Sequence, residues 1–341
     1  MYCIKRHIIE KKLTERAKTQ KFNLEKAESY RLKKDEDPSI NNSYYFSAHN
    51  EEMSIYTRLG LRSNQIETWF VILYHGEKYY LKKEFFHVGK SPLWVKRSLN
   101  CWVITFVGEL LDSKGEAHHC DFKGVFSSEI MPIDFTTGMH PHRLAVAMAQ
   151  EKMNKEFIKK LENIQGQTHY EQYGLLEGKF TLDKKEIKFA LPCVRDHSFG
   201  KRDWEYMNNH LWVMAVSPKG QLNYSLVSYP ALSVLEVGNM YQGKDLKLLL
   251  EVKSDLNEIS KGTTPESHKM LITLADGSKL SVEPKIIDTH VYHFQHGDYE
   301  LIENVASFNI NGEEYRGIFE IGFNKDKKRV FNGKKPKKIR R

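Results

Sequence analysis

The sequence predicts a mostly β protein with two antiparallel β domains that are joined by a helix. Seven segments between residues 78 and 323 are rich in β-branched and aromatic residues, which favour strands. Turn dipeptides such as Asp276-Gly277 and Asn311-Gly312 lie between strand-like runs, where a two-residue hairpin needs positive φ. Strand and helix patterns do not alternate along the chain, so a doubly wound parallel α/β fold is disfavoured.

Length and composition are those of a folded protein. The chain has 341 residues, of which 40% are hydrophobic and 28% are charged, and this balance excludes collagen-like, low-complexity and wholly disordered classes. No apolar run approaches the length of a membrane span, and the charged N-terminus lacks the apolar core of a signal peptide. Four scattered cysteines form no CxxC pair, so a disulfide framework is not expected. We therefore expect a cytoplasmic protein.

Pattern changes divide the chain into five parts. They are a charged, helical or disordered lead-in (1–38), a first β domain (39–141), a linker helix (142–166), a second β domain (167–323) and a basic tail (324–341). The first boundary rests on Asp37-Pro38, because the residue before a proline is disfavoured in a helix.

The helical pattern covers residues 142–165. Apolar residues such as Leu144, Met148 and Phe157 recur there at helical spacing, and Gly166 follows as a stop signal. A helix that separates two β-rich blocks is expected to act as a linker or a plug between the two domains.

The net charge of +8 is concentrated at the C-terminus. Ten Lys or Arg residues follow Asn324 against the single acid Asp326, so this tail carries +9 and the rest of the chain −1. Such a tail is usually solvated, but it also suits weak contact with acidic surfaces or a nuclear address. The body contains no groove-reading element, so nucleic acid is not an expected partner.

Common cofactor and metal motifs do not occur. The chain has no GxGxxG, GxSxG, HExxH or kinase signature, so nucleotide chemistry has no support. His118, His119 and Cys120 are consecutive, and adjacent ligands chelate one zinc ion poorly. We predict neither a metal nor a cofactor.

The most unusual segment is Val194–Trp204, in which acidic, basic and aromatic residues follow directly on an apolar run. On a strand, Asp196 and Ser198 face one side whereas His197 and Phe199 face the other. Gly200 then permits a bulge that redirects the residues after it.

Two interpretations of this segment remain open. In the first, its charged residues satisfy one another in a structural network, made of Arg195, Asp196, Arg202 and Asp203 and capped by Trp204. In the second, Asp196 or Asp203 is an acid with a raised pKa, or His197 carries a proton, at the mouth of an apolar pocket.

The same segment resembles a known family. The run Arg195–Trp204, preceded by His169–Gly174 and Gly178–Phe180, is similar to the R-D-H-S-[WF]-G-x-R-D-W core of lipocalin-like proteins related to carotenoid hydratase (hydroxyneurosporene synthase). Trp94–Phe106 and Ile133–Phe135 resemble the first domain of that group, so the resemblance covers residues 40–325.

The resemblance implies two tandem lipocalin-like β-barrel or β-sandwich domains. Tocopherol cyclase-like proteins, fungal survival-factor ceramide carriers and lipocalin-like pericyclases share this architecture, and they handle apolar small molecules as carriers or as enzymes. An eight-stranded barrel encloses enough space for side chains or one compact apolar ligand. Aromatic residues such as Trp212 and Tyr224 are candidates for the walls of such a pocket.

Three functions follow as hypotheses. The first is binding or carriage of a lipid or isoprenoid-like molecule in a barrel cavity, and the alternative is a cofactor-free hydratase, isomerase or cyclase that acts on a polyene, terpenoid or polyketide. The third is a scaffold recruited through the basic tail. For the enzyme, Asp196 would donate the proton, tuned by Asp203 or His197, while the supporting residues would be Arg195, Ser198, Arg202, Trp204, Trp212 and Tyr224.

Overall fold

The computed structural model describes most of the chain. The described residues are 2–19, 21–98, 101–135, 138–151, 167–201, 207–229, 234–254, 268–294 and 299–325. Within them the chain forms three helices and nineteen strands, which confirms the predicted mostly β class. Each pair of neighbouring strands is antiparallel.

The first sheet forms a ring of eight strands. In spatial order these are β1 (Ile40–His49), β2 (Met53–Leu61), β3 (Ile66–Tyr74), β4 (Glu77–Tyr80), β7 (Cys101–Leu111), β8 (Ala117–Ser127), β10 (Gln167–Leu182) and β11 (Lys185–Lys201). The ring closes because β11 pairs with both β10 and β1. Three short strands flank it, namely β5 (Phe85–Phe86), β6 (Leu93–Ser98) and β9 (Ile133–Asp134).

The second sheet is a closed barrel of eight consecutive strands. They are β12 (Asn209–Ser217), β13 (Gly220–Ser228), β14 (Leu235–Gln242), β15 (Asp245–Ser254), β16 (Met270–Leu274), β17 (Lys279–Phe294), β18 (Tyr299–Ile310) and β19 (Glu313–Asn324). Strand β19 returns to pair with β12 and closes the barrel. The predicted hairpin turns at Asp276-Gly277 and Asn311-Gly312 connect β16 to β17 and β18 to β19, and both glycines have φ of 87°.

Three helices accompany the barrels. They are α1 (Tyr2–Thr19), α2 (Leu24–Glu28) and α3 (Pro141–Gln150). Helix α3 begins where the sequence predicts, but it ends at Gln150 because Glu151 has extended backbone angles (φ −91°, ψ 154°). The rest of the predicted linker helix, residues 152–166, and the basic tail from residue 326 lie outside the described residues. None of the described helices is long and apolar enough to cross a bilayer.

Strands β10 and β11 belong to the first barrel, whereas the sequence boundary assigned residues 167–201 to the second domain. The difference arises because a strand pattern does not identify its partner. Strand β11 pairs with β1 from Ile40 opposite Lys201 to Ala48 opposite Cys193, across more than a hundred residues of chain. The motif up to Lys201 therefore lies in the first barrel.

Both barrel interiors contain packed hydrophobic side chains. In the first, Phe70 stacks on Phe106 with ring centres 4.2 Å apart. A third apolar cluster lies between the barrels, where Trp69 of β3 stacks on Tyr292 of β17 at 3.9 Å. Close packing of this kind holds two surfaces in one arrangement. The barrels therefore meet through a shared apolar interface.

A helix places one charged side chain in each barrel. Glu28 of α2 binds Arg195 in the first barrel at 2.8 Å, and both side chains are buried. Arg143 of α3 binds Glu236 in the second barrel. In each barrel, a buried charged residue of a strand therefore has its counter-ion on a helix.

Candidate functional site

The alternation of β11 sends the motif residues to two different places. His197 stacks on Tyr44 inside the first barrel, with ring centres 4.4 Å apart. Val194 belongs to the apolar cluster between the barrels, and Asp196 lies on the same face of the strand. The alternation expected from sequence is therefore observed, and it separates an interior set from an interface set.

In the interior set, His197 is buried and both of its ring nitrogens are hydrogen-bonded. His197 donates from Nε2 to Asn42 Oδ1 at 2.8 Å and accepts at Nδ1 from the hydroxyl of Tyr170 at 2.5 Å. Burial, followed by the charge of Arg195, holds the pKa of His197 well below its usual value. A neutral imidazole with both nitrogens engaged holds the barrel wall in place.

Arg195 contributes to the interior set rather than to a network with Asp196. Its guanidinium donates to Glu28 at 2.8 Å and to Gln172 at 2.7 Å, and it lies 5.0 Å from the ring centre of Trp102. Because Arg195 and Asp196 point to opposite faces, the predicted ionic network does not join them. Its other members, Arg202, Asp203 and Trp204, lie outside the described residues.

The interface set forms the inter-barrel cluster, which we define as His169, Glu171 and Asp196. Glu171 of β10 stands directly opposite Asp196 of β11. His169, two residues before Glu171, makes an ion pair with Asp196 through Nε2, and the same atom lies 3.5 Å from Glu171 Oε1. The Glu171 side chain is only 3% exposed and that of Asp196 is 7% exposed, whereas His169 is 26% exposed. The two carboxyl groups are thus buried, and His169 is the most exposed member of the cluster.

Aromatic rings from both barrels surround the cluster. Phe135 stacks on His169 with ring centres 4.2 Å apart, and Trp212 of β12 meets His169 edge-on at 5.9 Å. Tyr45 of β1 packs against Trp212 at 5.8 Å. Trp212, which the sequence suggested as a pocket wall, therefore brings the second barrel to the cluster.

The surroundings shift the proton affinities of two members of the cluster. Burial raises the pKa of Glu171 to about 7, and the charge of Asp196 adds to this effect while His169 and Trp212 oppose it. Burial alone would lower the pKa of His169, but the carboxylates of Asp196 and Glu171 outweigh it and raise the pKa to about 9. At neutral pH the cluster therefore contains a cationic imidazole beside a carboxyl group that is poised to gain or lose a proton.

A second pair of acids extends the polar part of the interface. Tyr45, which lies opposite Asp196 in the sheet, donates its hydroxyl to Glu303 Oε1 at 3.1 Å. Glu303 stands opposite Glu320 on β19, and burial together with the charge of Glu320 raises the pKa of Glu303 well above its usual value. The polar side chains thus continue from the cluster into the second barrel.

Two other candidates from the sequence are not members of the cluster. Tyr224 is fully buried inside the second barrel, where it donates to Glu236 at 3.1 Å. Ser198 stands opposite His169 in the sheet and forms a hydrogen bond with Ser43 at 2.9 Å. Neither residue belongs to the inter-barrel cluster.

Sequence reasoning did not select His169 or Glu171 as functional residues, although both lie in the block that resembles the carotenoid hydratase group. Their spacing of two places both side chains on one face of a strand. The sequence alone therefore shows that His169 and Glu171 share a face. Their proximity to Asp196 depends on the pairing of β10 with β11, which the sequence does not show.

The same donors could also hold a cation. Among the described residues, the carboxylate oxygens of Glu171 and Asp196 and a ring nitrogen of His169 lie within 4.8 Å of one another. Nitrogen and oxygen ligands of this kind suit divalent transition metals. A second such group, Asp112, Glu116 and His118, lies where the turn after β7 leads into β8. The first group is thus both an acid–base cluster and a candidate ligand set.

Two solved structures have a fold similar to that of this chain, and a third is more distant. A protein from Nitrosomonas europaea assigned to AttH superposes with a TM-score of 0.59 at 8% identity, covering 89% of this chain and 97% of its own. CghA superposes with a TM-score of 0.50 at 7% identity, covering 83% and 87%. Kievitone hydratase from Nectria haematococca has a TM-score of 0.46 at 12% identity, covering 86% and 91%. At these identities the similarity concerns the fold.

Sequence comparisons identify a family without an assigned activity. A search of curated proteins finds no significant match. The model of the family described as "Domain of unknown function (DUF7064)" matches residues 26–325, which include both barrels and the inter-barrel cluster. The chain therefore belongs to the DUF7064 family.

Proposed function

We propose that the protein is an acid–base enzyme that hydrates, isomerises or cyclises an unsaturated apolar molecule at the inter-barrel cluster. The observation that carries the proposal is the buried carboxyl group of Glu171, which has a pKa of about 7. This group lies beside a charged imidazole and aromatic rings. A general acid works best when its pKa lies near the working pH. The chemistry needs no cofactor, because the carboxyl group supplies and recovers the proton.

The first chemical step is proton transfer from Glu171 to one carbon of a double bond. The resulting cation lies beside the carboxylate of Asp196 and the rings of Trp212 and Phe135, all of which stabilise positive charge. Capture by water, with return of the extra proton to Glu171, completes a hydration. Loss of a proton from a neighbouring carbon gives an isomer instead, and attack by a second double bond closes a ring.

Asp196, the proton donor expected from the sequence motif, acts here together with Glu171, which donates the proton. It lies directly opposite Glu171 on the neighbouring strand and balances the charge of His169, and its negative charge helps to raise the pKa of Glu171. His197 carries no proton to the substrate, because that ring is buried in the first barrel and hydrogen-bonded at both nitrogens.

The position of the cluster supports an apolar substrate. Aromatic rings pack against it, and we expect a substrate to approach from the side of His169, its most exposed member. The first hypothesis from the sequence, carriage of a lipid inside a barrel, has less support than the enzyme because core side chains fill the described interior positions of both barrels. Recruitment through the basic tail stays a prediction.

The test combines conversion with ligand retention. The full chain is incubated in ¹⁸O-labelled water with a panel of polyenes, terpenoids and polyketides, and products are followed by chromatography and mass spectrometry. Hydration would add one labelled water, whereas isomerisation or cyclisation would change retention without a change in mass. Native mass spectrometry of the purified protein shows separately whether it retains an unaltered ligand.

Three variants connect the result to the cluster. Glu171→Gln and Asp196→Asn keep the shape of each side chain and remove its titratable carboxyl, so both should lose conversion while remaining folded. Glu177→Gln is the matched control, because Glu177 lies on the same strand and is exposed. Conversion by both cluster variants at the wild-type rate, or a retained lipid with no conversion of any panel member, would overturn the proposal.

A further inference from the structure

Helix α1 lies outside both barrels and packs against α3. The Lys5 ammonium donates to the carbonyl of Ala149 at 3.2 Å, close to the end of α3. Glu10 pairs with His142 at the start of α3, with 3.1 Å between the carboxylate and Nδ1. Two polar contacts therefore attach one side of α1 to the molecule and fix which side remains exposed.

The exposed side of α1 carries large apolar residues. Ile4 is 67% exposed and Ile8, one turn later, is 51% exposed. Beside them a groove of about 490 Å³ runs between α1 and α3, with Ile9, Leu13 and Met148 among its lining residues. Isolated exposed residues are normal, but neighbouring ones that continue into an apolar groove indicate a binding surface.

The same side of α1 carries an excess of basic residues. The whole helix contains six Lys or Arg residues against two Glu; Glu10 is paired with His142, and the exposed Glu15 is paired with Lys18 at 3.0 Å. Lys11, Lys12 and Arg16 are exposed, and Lys12 also borders the groove. Apolar side chains flanked by cations on one surface of a helix complement an anionic lipid bilayer, where the apolar groups enter the acyl boundary and the cations meet the headgroups.

We propose that α1 docks the protein on anionic lipid bilayers, with Ile4 and Ile8 inserted at the acyl boundary and the α1–α3 groove receiving lipid tail. Phosphate-bearing headgroups pair with Lys11 and Lys12. The helix lies on the membrane and does not cross it. This inference is independent of the chemistry at the inter-barrel cluster.

The test is co-sedimentation of the full chain with vesicles. Vesicles of phosphatidylcholine alone are compared with vesicles that also contain phosphatidylserine, at about 0.1 M and about 0.5 M salt, because added salt shortens the range of charge attraction. We expect binding only to the anionic vesicles and weaker binding at the higher salt. The variant Ile4→Ser/Ile8→Ser should lose at least about tenfold in affinity, since both side chains leave the acyl boundary.

A matched control uses exposed apolar residues of the first barrel. Val88 and Val107 are 58% and 55% exposed, so Val88→Ser/Val107→Ser changes the surface to a similar degree away from α1 and should bind as the wild type does. Circular dichroism confirms that each variant is folded. The basic tail is present in every protein compared.

Two outcomes would overturn the proposal. If Ile4→Ser/Ile8→Ser binds anionic vesicles as well as the wild type does, the basic tail or another surface is responsible. If sedimentation velocity shows a wild-type dimer that this variant loses, and no vesicle binding is found, α1 is a contact between two copies of the chain.

Discussion

Glu171 and Asp196 lie directly opposite each other on neighbouring strands of the first barrel, and both carboxyl groups turn toward the second barrel. Like charges at directly opposite positions destabilise a sheet. His169 reduces the repulsion through its ion pair with Asp196, and Glu171 reduces it by holding a proton up to about pH 7. Glu171 therefore keeps its proton below about pH 7, because two charged carboxylates at these opposite positions would repel each other.

Replacing Glu171 should change how catalysis depends on pH. Wild-type conversion should fall as pH rises through about 7, where the buried carboxyl loses its proton. Glu171→Gln should lower the rate about 10²- to 10⁴-fold, the usual contribution of a general acid, and should remove this pH dependence. The measurement is the rate of product formation from pH 5 to 9.

The control for this profile is Glu84→Gln. Burial raises the pKa of Glu84 to about 7 as well, but Glu84 follows β4 and lies outside the cluster. Its variant should keep the wild-type profile. A profile that shifts with Glu84 and not with Glu171 would contradict the assignment of the acid.

Stability should decrease as pH rises from mildly acidic to basic values. The folded-state pKa of Glu171 is raised from 4.5 to about 7, so its contribution is complete below pH 4.5 and is lost as pH rises through 7. That of His169 is raised from 6.5 to about 9, so its contribution is complete below pH 6.5 and is lost as pH rises through 9. Urea unfolding at several pH values measures the free energy of unfolding.

The variant Glu171→Gln separates the two contributions. Relative to the wild type, it should lose roughly 3 kcal/mol of the change in free energy of unfolding between about pH 4.5 and 7, should keep the part due to Glu84 in that window, and should keep the decrease toward pH 9. A difference between the two proteins that is constant from pH 4 to 9 would show that Glu171 has the same proton affinity in the folded and unfolded chain.

Arg195 should be important for stability rather than for chemistry. Both partners in its ion pair with Glu28 are buried, so Arg195→Met leaves the carboxylate of Glu28 without its counter-ion, at a cost of about 3–5 kcal/mol. Adding Glu28→Gln should recover part of this loss, because the buried charge is then removed. Denaturant unfolding of the two single variants and the double variant gives the coupling energy.

A surface ion pair provides the comparison. Lys179 and Glu186 pair at 2.7 Å but are 58% and 43% exposed, so Lys179→Met should change stability little. If the losses in free energy of unfolding of Arg195→Met and Glu28→Gln add up to the loss in the double variant, the two residues do not act as a pair.

Metal treatment distinguishes proton chemistry from metal chemistry at the cluster. If Glu171 acts as the acid, dialysis against a chelator should leave conversion unchanged. Added Zn²⁺ should inhibit, because it would displace the proton from Glu171 and occupy the donors of His169 and Asp196. Activity that disappears with the chelator and returns with one divalent metal would assign the cluster to metal binding instead.

The sequence predicts the local features of this protein well. Alternating and turn-rich segments predict the strands, and the two hairpin glycines have the positive φ that their turns require. Alternation within the motif correctly separates Asp196 from His197. What sequence could not supply is pairing at long range. The placement of β10 and β11 in the first barrel, and with it the meeting of Glu171 with Asp196, depends on contacts between distant segments.

The two helix-borne charges have a practical consequence for dissection of the molecule. A first barrel that begins at residue 39 would lack Glu28. The guanidinium of Arg195 would then be buried in an apolar core without its counter-ion. Excision of the second barrel would separate Glu236 from Arg143 in the same way. Each barrel expressed alone would therefore contain a buried charged residue without its counter-ion. We expect such a protein to be insoluble unless the unpaired residue is replaced by a neutral one.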